Sequence, residues 1–439
     1  MIGLGALVVM ITVALLTIRH LWIAAGAIIA VLVLIPQVAA PVIGIPVVGS
    51  LNLGTVFIGV VASAQFATRT RTYLQDALDA LPTTLAILTL GTAVVLTSSA
   101  TGTSGEQQFL IDSLAPSAAG FALVRRAISD APRAGTRLAQ IFVAVVVVEC
   151  IVALLIWSGA LPQPFAAEYA ARYYWFDIND QSRALGTADS FLELAVVVLV
   201  AVALLRSIRR AAIIAPCAML FIATLFATQA RAALALSVVA LVAMLVARRV
   251  PFVPAATIAL LSFALTIATL LALPELGAGL SEKLRDDDGS SRARSIALTE
   301  GLPELTRYVL LGGGPENAVT TAVHLRLGTS FENPALMLGL CWGVLASGCY
   351  FGVLTGSLLA PGVRPRAVEG GRLAGALALV AVMTFSSVAF VTGLGTLLWM
   401  TVAMGAPPFA RRDPEGERPG VRRQHRAASA PSRSRSTVP

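Results

Sequence analysis

The sequence predicts an all-α, polytopic transmembrane helical bundle of about 12 or 13 spans, with one large extracytoplasmic loop that contains short helices. Three observations predict it. The chain is 57% hydrophobic and 13% charged, with a mean hydropathy of +0.82 over 439 residues. Apolar runs near the ~20 residues needed to cross a ~30 Å hydrocarbon core recur along it, while the alternating ~10-residue segments of a membrane β-barrel do not. One long polar interruption, residues 274–333, breaks the apolar pattern. A chain with little polar surface that concentrates Arg, Asp and Glu in one loop points to work at a membrane face.

The first apolar run, 1–17, has no basic flank and no small-residue cleavage site, so it reads as a retained helix and not as a signal peptide. Further runs lie at 21–36, 51–67, 82–98, 106–124, 138–158, 191–205, 211–228, 232–247, 252–273, 334–359, 373–388 and 391–408. Basic residues in short loops mark the cytoplasmic side. Arg19, Arg69 with Arg71, residues 125–137, residues 206–210, Arg248 with Arg249, and residues 364–372 alternate with the runs, which sets the amino terminus outside and the carboxyl terminus inside. Run 106–124 carries Glu106 and Asp112 and reads as a marginal helix or one that lines a polar cavity. The block from 373 to 408 is divided at residues 386–395 because only a hairpin returns the basic tail to the cytoplasm. Twelve spans is the alternative count.

The resulting organisation is transmembrane helices over 1–273, the large loop over 274–333, C-terminal transmembrane helices over 334–409, and a tail over 410–439. That tail is rich in Pro, Ser and Arg and too poor in apolar residues to fold. It carries much of the net charge of +8, and beside a membrane such a segment is drawn to anionic lipids. The charge therefore does not indicate a nucleic-acid partner; membrane lipids are the expected one. The four cysteines, Cys150, Cys217, Cys341 and Cys349, lie in apolar runs and do not suggest disulfides.

Arg183, Arg231, Arg285, Arg292, Arg294, Arg307 and Arg326 fall on the non-cytoplasmic side of this scheme, against the positive-inside preference. Two readings explain them: an anionic ligand at the outer leaflet, or pairing with Asp286 to Asp288 and the loop glutamates. Pairing is preferred for Arg285, Arg294 and Arg307. No His/Cys/Asp cluster has metal-ligand spacing, and residues 286–289 read as a solvated turn or an arginine partner. Residues 311–315, LGGGP, lack the Lys-Ser/Thr of a P-loop and read as a tight turn. Tyr173, Tyr174 and Trp175 suit either sugar stacking or an interfacial aromatic belt.

Four segments occur in a suggestive order. They are QSRALGTADSFLELA at 181–195, ATQARAALALSVVALVAML at 227–245, SSRARSIALTEGLPELTRYVLLGGGP at 290–315, and ENPALMLGLCWGVLA at 332–346. The set resembles the O-antigen ligase and polysaccharide polymerase superfamily, whose members move glycans from polyprenyl-diphosphate carriers at the outer face of the membrane. In that family a His-Asn pair is followed by nine residues and a Gly. Here Asn333 and Gly343 keep the spacing and Glu332 stands in the His position. The resemblance implies an undecaprenyl (polyprenyl) diphosphate-linked glycan donor, a glycan, lipid or protein acceptor, no cofactor, and a place in the cytoplasmic (inner) membrane with an extracytoplasmic active site.

The chemistry of such a transfer fits the residues. The diphosphate leaves with its charge, and arginine, whose planar fork bonds phosphate oxygens in pairs, is suited to stabilise it. Arg183, Arg231 and Arg292 each open a helix from the outer side, where helix amino termini also favour anions. Together they could take the place of a divalent metal. A base must reach the acceptor hydroxyl; Glu332 is the candidate by position and His324 the second. Asn333, Arg326, Gly312 and Gly314 are expected to position the loop or the acceptor. A polytopic transporter of a small anionic or lipid-linked solute is the competing expectation, although the chain shows no internal repeat.

Overall fold

The computed structural model describes residues 2–44, 51–102, 108–131, 133–173, 176, 183–208, 210–248, 288–327, 331, 333–361, 366–383 and 392–409. Every regular element among them is helical. The expected span 252–273, the tail 410–439, and Glu106, Tyr174, Trp175, Arg285 and Glu332 lie outside the described residues.

Helix α1 (Ile2–Leu16) leads to α2 (Leu21–Leu34), which stops where Pro36 disfavours helical geometry at Ile35. The chain then bends by 87° into Gln37–Ile43. Asn52 caps α3 (Leu53–Asp79), its side chain accepting the Gly54 N–H, and α3 kinks at Arg69. Next come α4 (Leu81–Thr101), a π turn at Leu110–Leu114, α5 (Ala115–Asp130), α6 (Ala134–Trp157) and the short α7 (Ala166–Arg172). Ser190 caps α8 (Phe191–Leu204) by accepting the Glu193 N–H. A left-handed Gln229 turns α9 (Ala211–Thr228) into α10 (Arg231–Arg248). The polar region supplies α11 (Asp288–Ile296), helical turns onward to Arg307, and α12 (Gly314–His324). The chain ends in α13 (Pro334–Trp342), α14 (Val344–Leu359), α15 (Arg366–Val382) and α16 (Thr392–Gly405).

Helix α8 is apolar on all sides and buried from Glu193 to Leu204, as a core helix must be. It packs against α6, α9, α10 and α15, while α16 packs against α15 and α5. Close approach of α15 to α16 depends on small residues: a methyl group at Gly371 or Gly375 would meet the backbone of Met404 or Val402.

Among the described residues, α4 and α6 can cross a membrane by length and composition, and α2 with its bent continuation makes a third crossing if the pair is one span. That is fewer than the pattern of apolar runs implies. The reason is visible in the backbone: several runs form apolar helices of 10–17 residues. The 334–359 run is two helices with a break at Gly343.

The bundle has two chemically distinct ends. At one, Arg69 pairs with Asp130 at 2.8 Å, Arg126 with Asp130 at 2.7 Å and with Asp76 at 3.3 Å, and Arg206 with Glu369. Arg125 donates to the Pro407 carbonyl there and lies over the Phe409 ring. These residues come from the loops that the basic-residue pattern marks as one side. The opposite end gathers Gln37, Asn52, Asp112, Asp189 and Glu193, and it carries the site.

Candidate functional site

The residues that fold the opposite end are carboxylates tied to backbone N–H groups. Glu149 on α6 accepts the Thr187 N–H at 2.7 Å and its hydroxyl at 2.6 Å. Asp189 accepts the Gln37 N–H at 2.8 Å and the Val38 N–H at 3.2 Å, closing the turn after the 87° bend. Gly186, with φ of +63°, lets the loop pass so close that a side-chain carbon there would strike Glu149 and Ala153. The R-x-x-G-T pattern thus encodes a loop pinned to α6. Tyr169 donates to the Ala188 carbonyl at 2.8 Å, and with Val38 and Leu185 it forms a small core under α7. Tyr173 belongs to that cluster, its hydroxyl 3.4 Å from Asp189.

The pinned loop carries Arg183. Its guanidinium lies 4.1 Å from the Phe191 ring centroid and donates to the Gln229 side-chain carbonyl at 3.4 Å. The Ala184 N–H also bonds the Ala227 carbonyl at 2.9 Å, which docks the loop on the α9–α10 turn. Arg231, half-buried, opens α10 two residues past Gln229. Arg183 therefore bonds the turn that Arg231 follows, although the two arginines are far apart in sequence. Arg292 is exposed on α11, a different element from the loop that carries Arg183 and the helix that Arg231 opens.

A second construction lies where the 334–359 run breaks. Asn333 caps α13 by accepting the N–H groups of Ala335 and Leu336 at 3.0 and 3.1 Å. Gly343, with φ of +102°, ends the helix. The Asn-x9-Gly spacing thus marks the two ends of one short helix. Residues 308–313 fill the break: the Tyr308 carbonyl accepts the Val344 N–H at 2.8 Å, and the Gly313 N–H donates to the Leu340 carbonyl at 2.8 Å. Gly312 packs directly on the Cys341–Trp342 peptide, and its N–H points to the Thr97 hydroxyl at 3.3 Å. Gly314 begins α12 in a left-handed conformation, with φ of +81°.

His324 is exposed as the last residue of α12. Arg326 follows at φ of +59°, and the bonds Arg326 N–H to Val323 and Leu327 N–H to Ala322, both 2.9 Å, finish the helix in a Schellman motif. Arg326 is exposed and serves as a helix stop. Arg307 pairs with Glu304 at 2.7 Å, the pairing expected from sequence.

Sequence reasoning did not single out Glu149, Asp189 or Glu193. All three line a narrow pocket of about 10 Å³, room for about one water, together with Asn52, Thr187 and Gly393. Glu193 is 6% exposed, and among the described residues its Oε2 has no hydrogen-bond partner. The signal available was an acidic residue inside an apolar run, which membrane segments seldom carry without a task. Among the described residues no three His, Cys, Asp or Glu side chains gather to hold a metal ion. No family model, curated protein or solved structure matches the chain.

Burial pushes the Asp189 carboxyl above the usual carboxylate range, against the opposing N–H groups of Gln37 and Val38 and the Arg172 cation. The folded loop then binds a proton more tightly than the unfolded chain. Its stabilising contribution is complete below the ordinary carboxylate pKa and is lost as pH rises through the raised value. Trypsin cleavage after Arg172 is expected to accelerate across that window, relative to an unfolded control peptide, and Asp189→Asn to flatten the dependence. A pH-independent rate ratio in the wild-type protein would remove Asp189 as the cause.

Proposed function

We propose that the protein is a membrane glycosyltransferase that transfers or polymerises glycan from a polyprenyl-diphosphate donor onto an acceptor hydroxyl at the outer face of the cytoplasmic membrane, as members of the O-antigen ligase-like superfamily do. The observation that carries this reading is the docking of the Arg183 loop on the α9–α10 turn that leads into Arg231, on the end of the bundle away from the ion-paired basic loops. In the reaction the bond between the anomeric carbon and the diphosphate oxygen breaks and a bond to the acceptor oxygen forms. The hydroxyl proton passes to a base, and the diphosphate departs with its charge held by guanidinium groups.

Glu332 and His324 remain the base candidates, flanking the segment that leads into α13. Glu332→Gln keeps the shape and removes basicity, and Glu332→His restores the residue of the family pattern. Loss of transfer in Glu332→Gln with rescue in Glu332→His assigns the base. Wild-type transfer in Glu332→Gln together with an inactive His324→Ala assigns it to His324. The topology is tested separately: a reporter after Pro439 is expected to read cytoplasmic and one inserted at Gly289 extracytoplasmic. The same side for both overturns the arrangement.

A transporter is the second reading, favoured by one observation. Two interrupted helices, at Pro36 and Gly343, occur in a protein whose buried carboxylates line a narrow pocket, a combination that solute carriers use. Uptake into vesicles, measured beside transfer from a lipid-linked glycan, separates the two.

A further inference from the structure

Five large apolar side chains between residues 298 and 311 are exposed: Leu298, Leu302, Val309, Leu310 and Leu311, with Leu310 66% exposed. On a water-facing loop such a cluster is costly. Four backbone groups of 308–313 bond inward to the bundle. Tyr308 and Val309 carbonyls accept the Val344 and Leu345 N–H groups at 2.8 and 3.1 Å, and the Gly312 and Gly313 N–H groups reach Thr97 and Leu340. On both sides the adjoining surface is apolar and exposed too, through Leu96 on α4 and Val344 and Leu345 on α14. Hydrocarbon tolerates irregular backbone only where its polar groups are satisfied within the protein, and these bonds meet that condition at four positions.

Charge gives the second half of the pattern. Arg292, Arg294, Arg307 and Arg326, which flank or interleave these apolar residues along the chain, are exposed, the composition of an interfacial segment that rests apolar groups among acyl chains and cations against phosphate. We infer that residues 292–311 are seated in the membrane leaflet at this end of the bundle, with Val309 to Leu311 among acyl chains and Arg292 and Arg294 against anionic phospholipid headgroups. The inference requires membrane insertion but not the glycan chemistry proposed above, so either can fail alone.

The test places the photo-crosslinker benzoylphenylalanine at single positions of the full chain in vesicles of phosphatidylcholine with radiolabelled phosphatidylglycerol. Leu96 serves as the lipid-facing reference and Thr320, exposed on α12, as the water-facing one. Label at Leu310 and Leu298 is expected to match Leu96. Label at the Thr320 level, or a protein adduct of twice the mass, overturns the seating and in the second case assigns the patch to another copy of the chain. With the crosslinker at Ser295, labelled phosphatidylglycerol is expected to be captured over labelled phosphatidylcholine, and Arg292→Ala and Arg294→Ala are each expected to reduce that preference about fivefold. Equal capture of the two lipids overturns the headgroup contact.

Discussion

Arg183→Ala and Arg231→Ala are each expected to lower glycan transfer by about 10²–10³-fold, the loss typical when one donor to a developing charge is removed. Arg183 bonds the α9–α10 turn, oriented by Phe191 and Gln229, and Arg231 opens the helix that follows that turn. Lysine is expected to restore little, because an ammonium cannot present the paired N–H groups of the fork. The measurement is transfer from a polyprenyl-diphosphate-linked glycan by protein in nanodiscs, with thermal unfolding recorded beside it. A wild-type rate in both alanine variants would end the clamp proposal. Arg292→Ala is expected to act more weakly and through KM more than kcat, because Arg292 stands on exposed α11 and not at the turn.

The largest stability effect is expected from Gly312→Ala. The added carbon would fall on the carbonyl and amide of the Cys341–Trp342 peptide, and no flexible side chain is there to yield. Overpacking against backbone costs about 3 kcal/mol, and moving the segment to relieve it breaks the Gly313–Leu340 bond that helps close the helix gap. Gly348→Ala is the control, since nothing lies within 4 Å of the carbon it adds. On a helix it is expected to be neutral or to stabilise by up to about 1 kcal/mol. Unfolding of both variants in the same detergent decides the matter. Equal midpoints would mean that the 308–313 segment is not held in the break.

Part of the site was legible in advance. Asn333 and Gly343 stood out by spacing, and they proved to be the two ends of α13. Arg183, Gly186 and Thr187 stood out as a motif. What the motif holds was hidden, because Glu149 lies 38 residues before Thr187 and on a different helix. The same holds for Asp189, whose partners are 152 and 151 residues away. A motif can be recognised from neighbouring residues, but a hydrogen bond between distant ones depends on how the helices pack.

Hydropathy and charge are sums over neighbouring residues, so the helical class, the apolar runs and the basic loops could be read without the fold. Hydrogen-bond satisfaction is different, since a buried backbone group must find a partner wherever the packing supplies one. For that reason only the tertiary structure decided that 308–313 closes the break at Gly343, that Glu149 and Asp189 pin the loop bearing Arg183, and that Arg183 meets the turn before Arg231 while Arg292 stays on the surface.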